Sequence, residues 1–179
     1  MKTLKGLKET IQTLEKFEKE MQKKIDDVTY QNAIDLQKTA KQKAPKDLGD
    51  LAQSITIAKG INQKYKASYV VIANGTGLAP YAAFQEFGTG GRVSVPSELA
   101  DIASSFKGKK MSTFKEGLEN IKDWCKNKGI DVKAAYPIFM AILKNGIEPK
   151  PYMYPALVRQ RRIFLEDLKH LLETETKKV

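Results

Sequence analysis

Apolar residues recur at alternating steps of three and four along the first 28 positions: Leu4, Leu7, Ile11, Leu14, Met21, Ile25 and Val28. That spacing places them on one stripe of a helix. Glu18 occupies one expected apolar position, and Phe17 beside it covers the gap. The pattern is that of a coiled-coil seam, and equally of an amphipathic helix lying on its own sheet. Helical spacing resumes through Ala33, Ile34, Leu36, Ala40 and Ala44. Pro45 ends it, because the residue before a proline is pushed out of the α region.

Beyond Pro45 the chain is broken into short pieces. Residues 47–53 read as a turn or short helical piece. The runs 54–58 and 66–73 alternate or are rich in β-branched and aromatic residues, so they read as strands of an antiparallel hairpin turning at 60–64. Asn74-Gly75-Thr76-Gly77 is a stop signal. Pro80 suits the first turn of a short helix reaching Phe87, and Gly88 suits a left-handed cap. Residues 92–96 read as a third strand, and Ser97 as the cap of a short helix over 98–106. Helices are expected over 112–128, ended by Gly129, and over 131–145, capped by Asp131 and closed by Gly146. Pro137 either kinks the second of these or marks its effective start. The two form a helical hairpin. A last helix opens at Pro155 and runs to about Glu173, with Leu157, Arg161, Phe164, Leu168 and Leu171 on one face. The expected fold is α+β: a small, mostly antiparallel sheet packed by a long N-terminal and a C-terminal helix. Residues 1–179 then form one domain, with 97–146 a helical insertion on its outside.

Several classes of function find little purchase. No apolar run approaches the roughly 20 residues that span a bilayer, and no apolar block follows the N-terminus as in a secretory signal. Cys125 is the only cysteine and His170 the only histidine, which excludes an intrachain disulfide and a usual zinc site. As a nucleophile–base pair those two lack an orienting acid and an oxyanion site. Gly88-Thr89-Gly90-Gly91 follows a helix rather than a strand and lacks the lysine of a phosphate loop, so it reads as a turn that needs glycine. No cofactor, metal or catalytic residue is expected. A net charge of +10 favours acidic partners, nucleic acid among them. The basic clusters are short, however, and interleaved with acids. Arg159, Arg161 and Arg162 could meet phosphates or pair within the protein, as Arg162 can with Glu166 four residues on.

Glu86 is an acid on an apolar turn made by Tyr81, Ala82, Phe84 and Phe87. No second acid or base lies nearby, so it is expected to accept backbone N–H groups or to pair with a basic residue, within the chain or across a subunit boundary. The run from Pro151 to Pro155, with Tyr152 and Tyr154 flanking Met153, is stiff and aromatic and suits a packed edge or a partner groove.

In order along the chain, Ala44-Pro45, Gly49, Leu51, Ser54-Ile55, then Tyr81-Ala82 and Glu86-Phe87-Gly88-Thr89, then Pro151-Tyr152 and Pro155-Ala156-Leu157 resemble the head–tail joining family of long-tailed double-stranded DNA bacteriophages. The resemblance spans residues 40–157, with a long interruption. It departs from the family pattern at Asp47-Leu48, where a threonine usually precedes the glycine. It implies a non-enzymatic virion protein, neck or tail terminator, built in the host bacterial cytoplasm. It further implies a homo-oligomeric ring, most often of six copies, between a head-closure or connector protein and the tail tube, with double-stranded DNA passing through the lumen. A basic nucleic-acid-binding module is the alternative. Expected interface residues are Tyr81, Glu86, Phe87, Gly88, Thr89 and Gly90, with Pro151 and Tyr152. Ile11 and Leu14 of the N-terminal seam join them.

Overall fold

A computed structural model describes residues 2–46, 49–60, 68–73, 77, 79, 81–105 and 113–177. Helix α1 (Lys2–Lys43) is 42 residues long, about 60 Å at 1.5 Å per residue. A short α2 (Asp50–Gln53) and strands β1 (Thr56–Lys59) and β2 (Tyr69–Ile72) follow. Then come α3 (Ala82–Phe87), α4 (Ala100–Ser104), α5 (Phe114–Asn127), α6 (Ala135–Asn145) and α7 (Met153–Thr176). The expected α+β class holds, and helix predominates.

The two strands pair antiparallel, Thr56 opposite Ile72 and Lys59 opposite Tyr69. Ile57 and Val71 share the face turned to α1, while Val70 and Ile72 on the other face are exposed. Residues 92–96 do not join this sheet. Gly90–Arg92 is a 3-10 turn and 93–96 runs on extended without a strand partner among the described residues. One backbone bond, from Ser94 N–H to the Phe87 carbonyl at 2.9 Å, ties that stretch to the end of α3 instead. The turn expected at 60–64, from residue 61 on, Pro80 and the basic run 107–110 lie outside the described residues.

α7 runs antiparallel along the second half of α1. Their shared face is held by a polar ladder. Gln160 Nε2 donates to Asn32 Oδ1 at 2.7 Å, and Asn32 Nδ2 donates to Asp167 Oδ2 at 2.9 Å and to the Val28 carbonyl at 3.0 Å. Lys24 pairs with Glu175 near the last turn of α7. A buried amide must have its donors and acceptors met, so Asn32 and Gln160 fix the register of the two helices. At the other end of α7 sits the apolar core. Ala40, Ala44, Leu51, Ile55, Ala79, Ala82, Tyr152 and Ala156 are buried there. Five of those eight are alanines, so the elements approach closely around one large ring, that of Tyr152.

α5 and α6 form the expected hairpin, with Gly117 and Cys125 buried on one helix and Ala135 and Phe139 on the other. Phe114 packs edge-on against Phe139 at 5.0 Å between centroids. α5 begins at Phe114 because Thr113 and Glu116 build a reciprocal capping box. The N–H and hydroxyl of Thr113 hold the Glu116 carboxyl below the usual carboxylate range. Asp131 accepts from Lys133 N–H at 2.9 Å and so caps the 3-10 turn that leads into α6, as the sequence suggests. Pro137 falls in the first turn of α6, where its missing N–H costs nothing. Ser97 opens a 3-10 turn (Ser97–Leu99) and caps no helix.

Candidate functional site

The end of α3 and the start of α7 meet in a clamp. Residues 149–151 are Pro-Lys-Pro, which can supply no side-chain cap to the helix after them. Tyr152 stands at the N-cap position with no side-chain bond of its own. The first backbone N–H groups of α7 would therefore be orphaned. Glu86 takes them. Its Oε2 accepts from Tyr152 N–H at 2.8 Å and Met153 N–H at 2.9 Å, and its Oε1 accepts from Tyr154 N–H at 2.8 Å. The next residue is Pro155, which has no N–H to satisfy. A carboxylate at a helix N-terminus also interacts favourably with the helix dipole. This explains why a glutamate only 6% exposed is stable on an apolar turn. It also explains why α7 starts at Met153, two residues before Pro155: the cap comes from 66 residues upstream.

The residues around Glu86 extend the clamp. Gln85 accepts Lys150 N–H at 2.8 Å through its carbonyl. Thr89 N–H donates to the Ile147 carbonyl at 3.0 Å, and Ile147 N–H donates back to Thr89 Oγ1 at 2.8 Å. Gly88 has φ 75° and ψ −177°. The positive φ is as the sequence suggests, but the conformation is the extended one open essentially to glycine alone, not the left-handed helical cap. A Cβ there would stand 2.8 Å from the Arg92 carbonyl oxygen and 2.9 Å from both the Ile147 carbonyl oxygen and Pro149 Cδ. Gly146 adopts the same backbone region, φ 79° and ψ 177°, and a Cβ on it would collide with the Thr89 carbonyl. Two glycines from opposite sides let the two jaws of the clamp touch.

Tyr152 is fully buried beneath it. Its hydroxyl has no hydrogen-bond partner among the described residues. Burial first, and then the Glu86 charge, push its phenol well above the ordinary tyrosine range.

Of the expected interface residues, the clamp brings together Tyr81, Glu86, Phe87, Gly88, Thr89, Gly90, Pro151 and Tyr152. Glu86, Phe87, Gly88 and Tyr152 are buried within the chain, Tyr81 and Thr89 are half-buried, and Gly90 and Pro151 are exposed. Ile11 and Leu14 stand apart, exposed on the first half of α1. Sequence reasoning missed Gly146, Ile147 and Lys150 as parts of the site. Gly146 reads from sequence only as a helix stop; its closeness to Thr89 has no local signal.

Cys125 is buried in the hairpin and His170 is exposed on α7. Arg162 pairs with Glu166 at 3.9 Å, and Arg161 with Glu98 at 3.7 Å. Among the described residues no group of three or more His, Cys, Asp or Glu could hold a metal, and no helix is long and apolar enough to cross a membrane.

Residues 8–88 match the family described as "Bacteriophage HK97-gp10, putative tail-component". This segment is similar to the HK97-gp10-like family. It covers rather less than half of the 179 residues: α1 from Lys8, the sheet, and α3 up to Gly88. Family likeness therefore reaches the glutamate of the clamp and stops before its other jaw. No curated protein and no solved structure gives a match.

Proposed function

We propose that this chain is a non-enzymatic virion protein that assembles as a ring, of six copies, at the head–tail junction of a tailed phage. It would seat the tail tube on one side and a head-closure or connector ring on the other, with double-stranded DNA passing through the lumen. The observation that carries this reading is the use made of Glu86-Phe87-Gly88-Thr89. Glu86, Phe87 and Gly88 close the segment with tail-component likeness and Thr89 follows it directly, and every one is engaged in holding the chain's own elements together. None is left to do chemistry. Glu86, Phe87 and Tyr152 then serve assembly by fixing the clamp, while Gly90 and Pro151 on its exposed rim and the apolar stripe of α1 meet neighbours. Arg161 and Arg162 each have an acid within the chain, Glu98 and Glu166, which weighs against the duplex-reading alternative.

Complementation of a phage lacking the gene tests the reading, with heads and tails counted separately by electron microscopy. Accumulation of full heads and free tails without the protein is the expected result. Normal joined particles in its absence would sink the proposal. Tight duplex binding by the isolated protein, falling steeply with salt, would favour the nucleic-acid module instead.

A further inference from the structure

Two exposed apolar stripes on this chain have no partner among the described residues. The first is on α1, whose first half runs on past the end of α7 beyond the Lys24–Glu175 pair. There Leu7 is 59%, Ile11 47% and Leu14 60% exposed. The second is on α6. Its inner side packs on α5, yet its outer side is also apolar: Tyr136 is 56%, Met140 40% and Leu143 56% exposed. A helix apolar on both sides is normally buried on both. In α6 only one side is.

We propose that the free half of α1 in one copy of this chain docks antiparallel on the outer face of α6 in the next copy. This rests on the ring reading above and names the surfaces that would build the ring. The spacings match. Along α1 the apolar stripe steps from 7 to 11 and 14, with Glu18 one turn further; along α6 it steps back from 143 to 140 and 136, with Lys133 following in the 3-10 turn that leads into the helix. Both apolar stripes cover about 10 Å at the helical rise. Laid antiparallel, Leu7 meets Leu143, Ile11 meets Met140 and Leu14 meets Tyr136. Glu18, the acid that interrupts the α1 seam, then meets the exposed Lys133. Laid parallel, Glu18 would fall past the C-terminal end of α6, whose helix dipole disfavours a carboxylate. Charge thus selects the antiparallel direction.

Position selects a neighbouring copy over the chain itself. The free half of α1 projects beyond the C-terminal end of α7, whereas α6 leads through 146–150 into the N-terminal end. Those ends are about 36 Å apart for a helix of 24 residues. Two different patches at opposite ends make a head-to-tail contact, which closes into a ring when the rotation permits.

The test uses the full chain, with oligomeric state read by native mass spectrometry and sedimentation, and folding by circular dichroism. Leu14→Asp and Leu143→Asp should each remain folded and associate at least tenfold more weakly. Mixed one to one, each supplies the surface the other lacks, so the mixture should give dimers and nothing larger. Glu18→Lys and Lys133→Glu should each weaken assembly a few-fold, and together restore it. Leu143→Asp assembling like the parent chain would overturn the proposal while leaving ring formation intact. If the parent chain stays monomeric at every concentration, the ring reading fails before any substitution is made, and this interface with it.

Discussion

The two ends of the molecule are built on opposite terms. At the clamp, the chain satisfies itself: the three N–H groups at the start of α7 are met by Glu86, and Gly88 and Gly146 let backbones touch. Along the first half of α1, the same chain leaves Leu7, Ile11 and Leu14 in solvent. Yet both are read from sequence in the same way, as conspicuous residues on helices. A buried, bonded feature reports on folding, and an exposed apolar stripe on a helix reports on a partner. Substitutions at the first should therefore cost stability, and at the second assembly.

The hardest blow to the clamp is Gly88→Val. A β-branched residue resists φ 75° and would meet two carbonyl oxygens and Pro149. The expected loss is about 4 kcal/mol or more, enough to leave the chain unfolded or aggregated in a thermal melt. A cooperative melt near that of the parent would show that the junction relaxes and that the comparison is overdrawn.

Glu86→Ala comes next. It leaves the N–H groups of Tyr152, Met153 and Tyr154 without acceptors in a buried place, for a loss of about 3 kcal/mol. Glu86→Gln keeps one acceptor oxygen but points an amide donor at an N–H, so about half of that loss is expected. Urea titration of both variants should rank them in this order. If neither shifts the midpoint, the cap contributes nothing and the clamp is held by Thr89 and Ile147 alone.

Removing the α5–α6 hairpin should cost less. The excision of 109–145, joined by a short linker ahead of Gly146, keeps the residues that bond Thr89 and Gln85. The remaining body should still melt cooperatively, because α1, α7 and the sheet share a separate core. Loss of a cooperative transition would place the hairpin inside the folding unit.

Tyr152→Phe sharpens the comparison in the opposite direction. It deletes a buried hydroxyl with no partner among the described residues, so stability should hold or rise by about 1 kcal/mol. The phenol is raised in the folded state, so its contribution is fully present below the ordinary tyrosine range, near pH 10, and is lost as pH climbs above it. The variant should lose less stability than the parent between about pH 9 and 11, as followed by thermal melts.

The smallest effect on stability is expected from Ile11→Asp with Leu14→Asp. Both sites are exposed, so the melting midpoint should move by no more than about 0.5 kcal/mol in free-energy terms. Joining of heads to tails should nonetheless fall sharply in the complementation assay. A double variant that unfolds outright would return this stripe to the chain's own core and erase the contrast.

Local elements were legible because their reasons lie within a few residues. The three–four spacing of α1, the capping residue Asp131, and the β-branched runs at 54–58 and 66–73 are of this kind. The helical hairpin and the long terminal helices could be read for the same cause. Glu86 also reads from sequence as an acid that needs either backbone donors or a basic partner, because a carboxylate on an apolar turn has few other ways to be stable. Which donors it takes was settled only by folding. The first turn of α7 is 66 residues away, and no spacing rule joins a glutamate at the end of one helix to a Pro-Lys-Pro segment that cannot cap its own. The same distance hid Gly146, whose missing side chain matters only because Thr89 lies against it. Residues 92–96 looked like a strand, since their sequence suits extended backbone. Whether such backbone finds a partner strand depends on what lies beside it, and here the end of α3 took the bond.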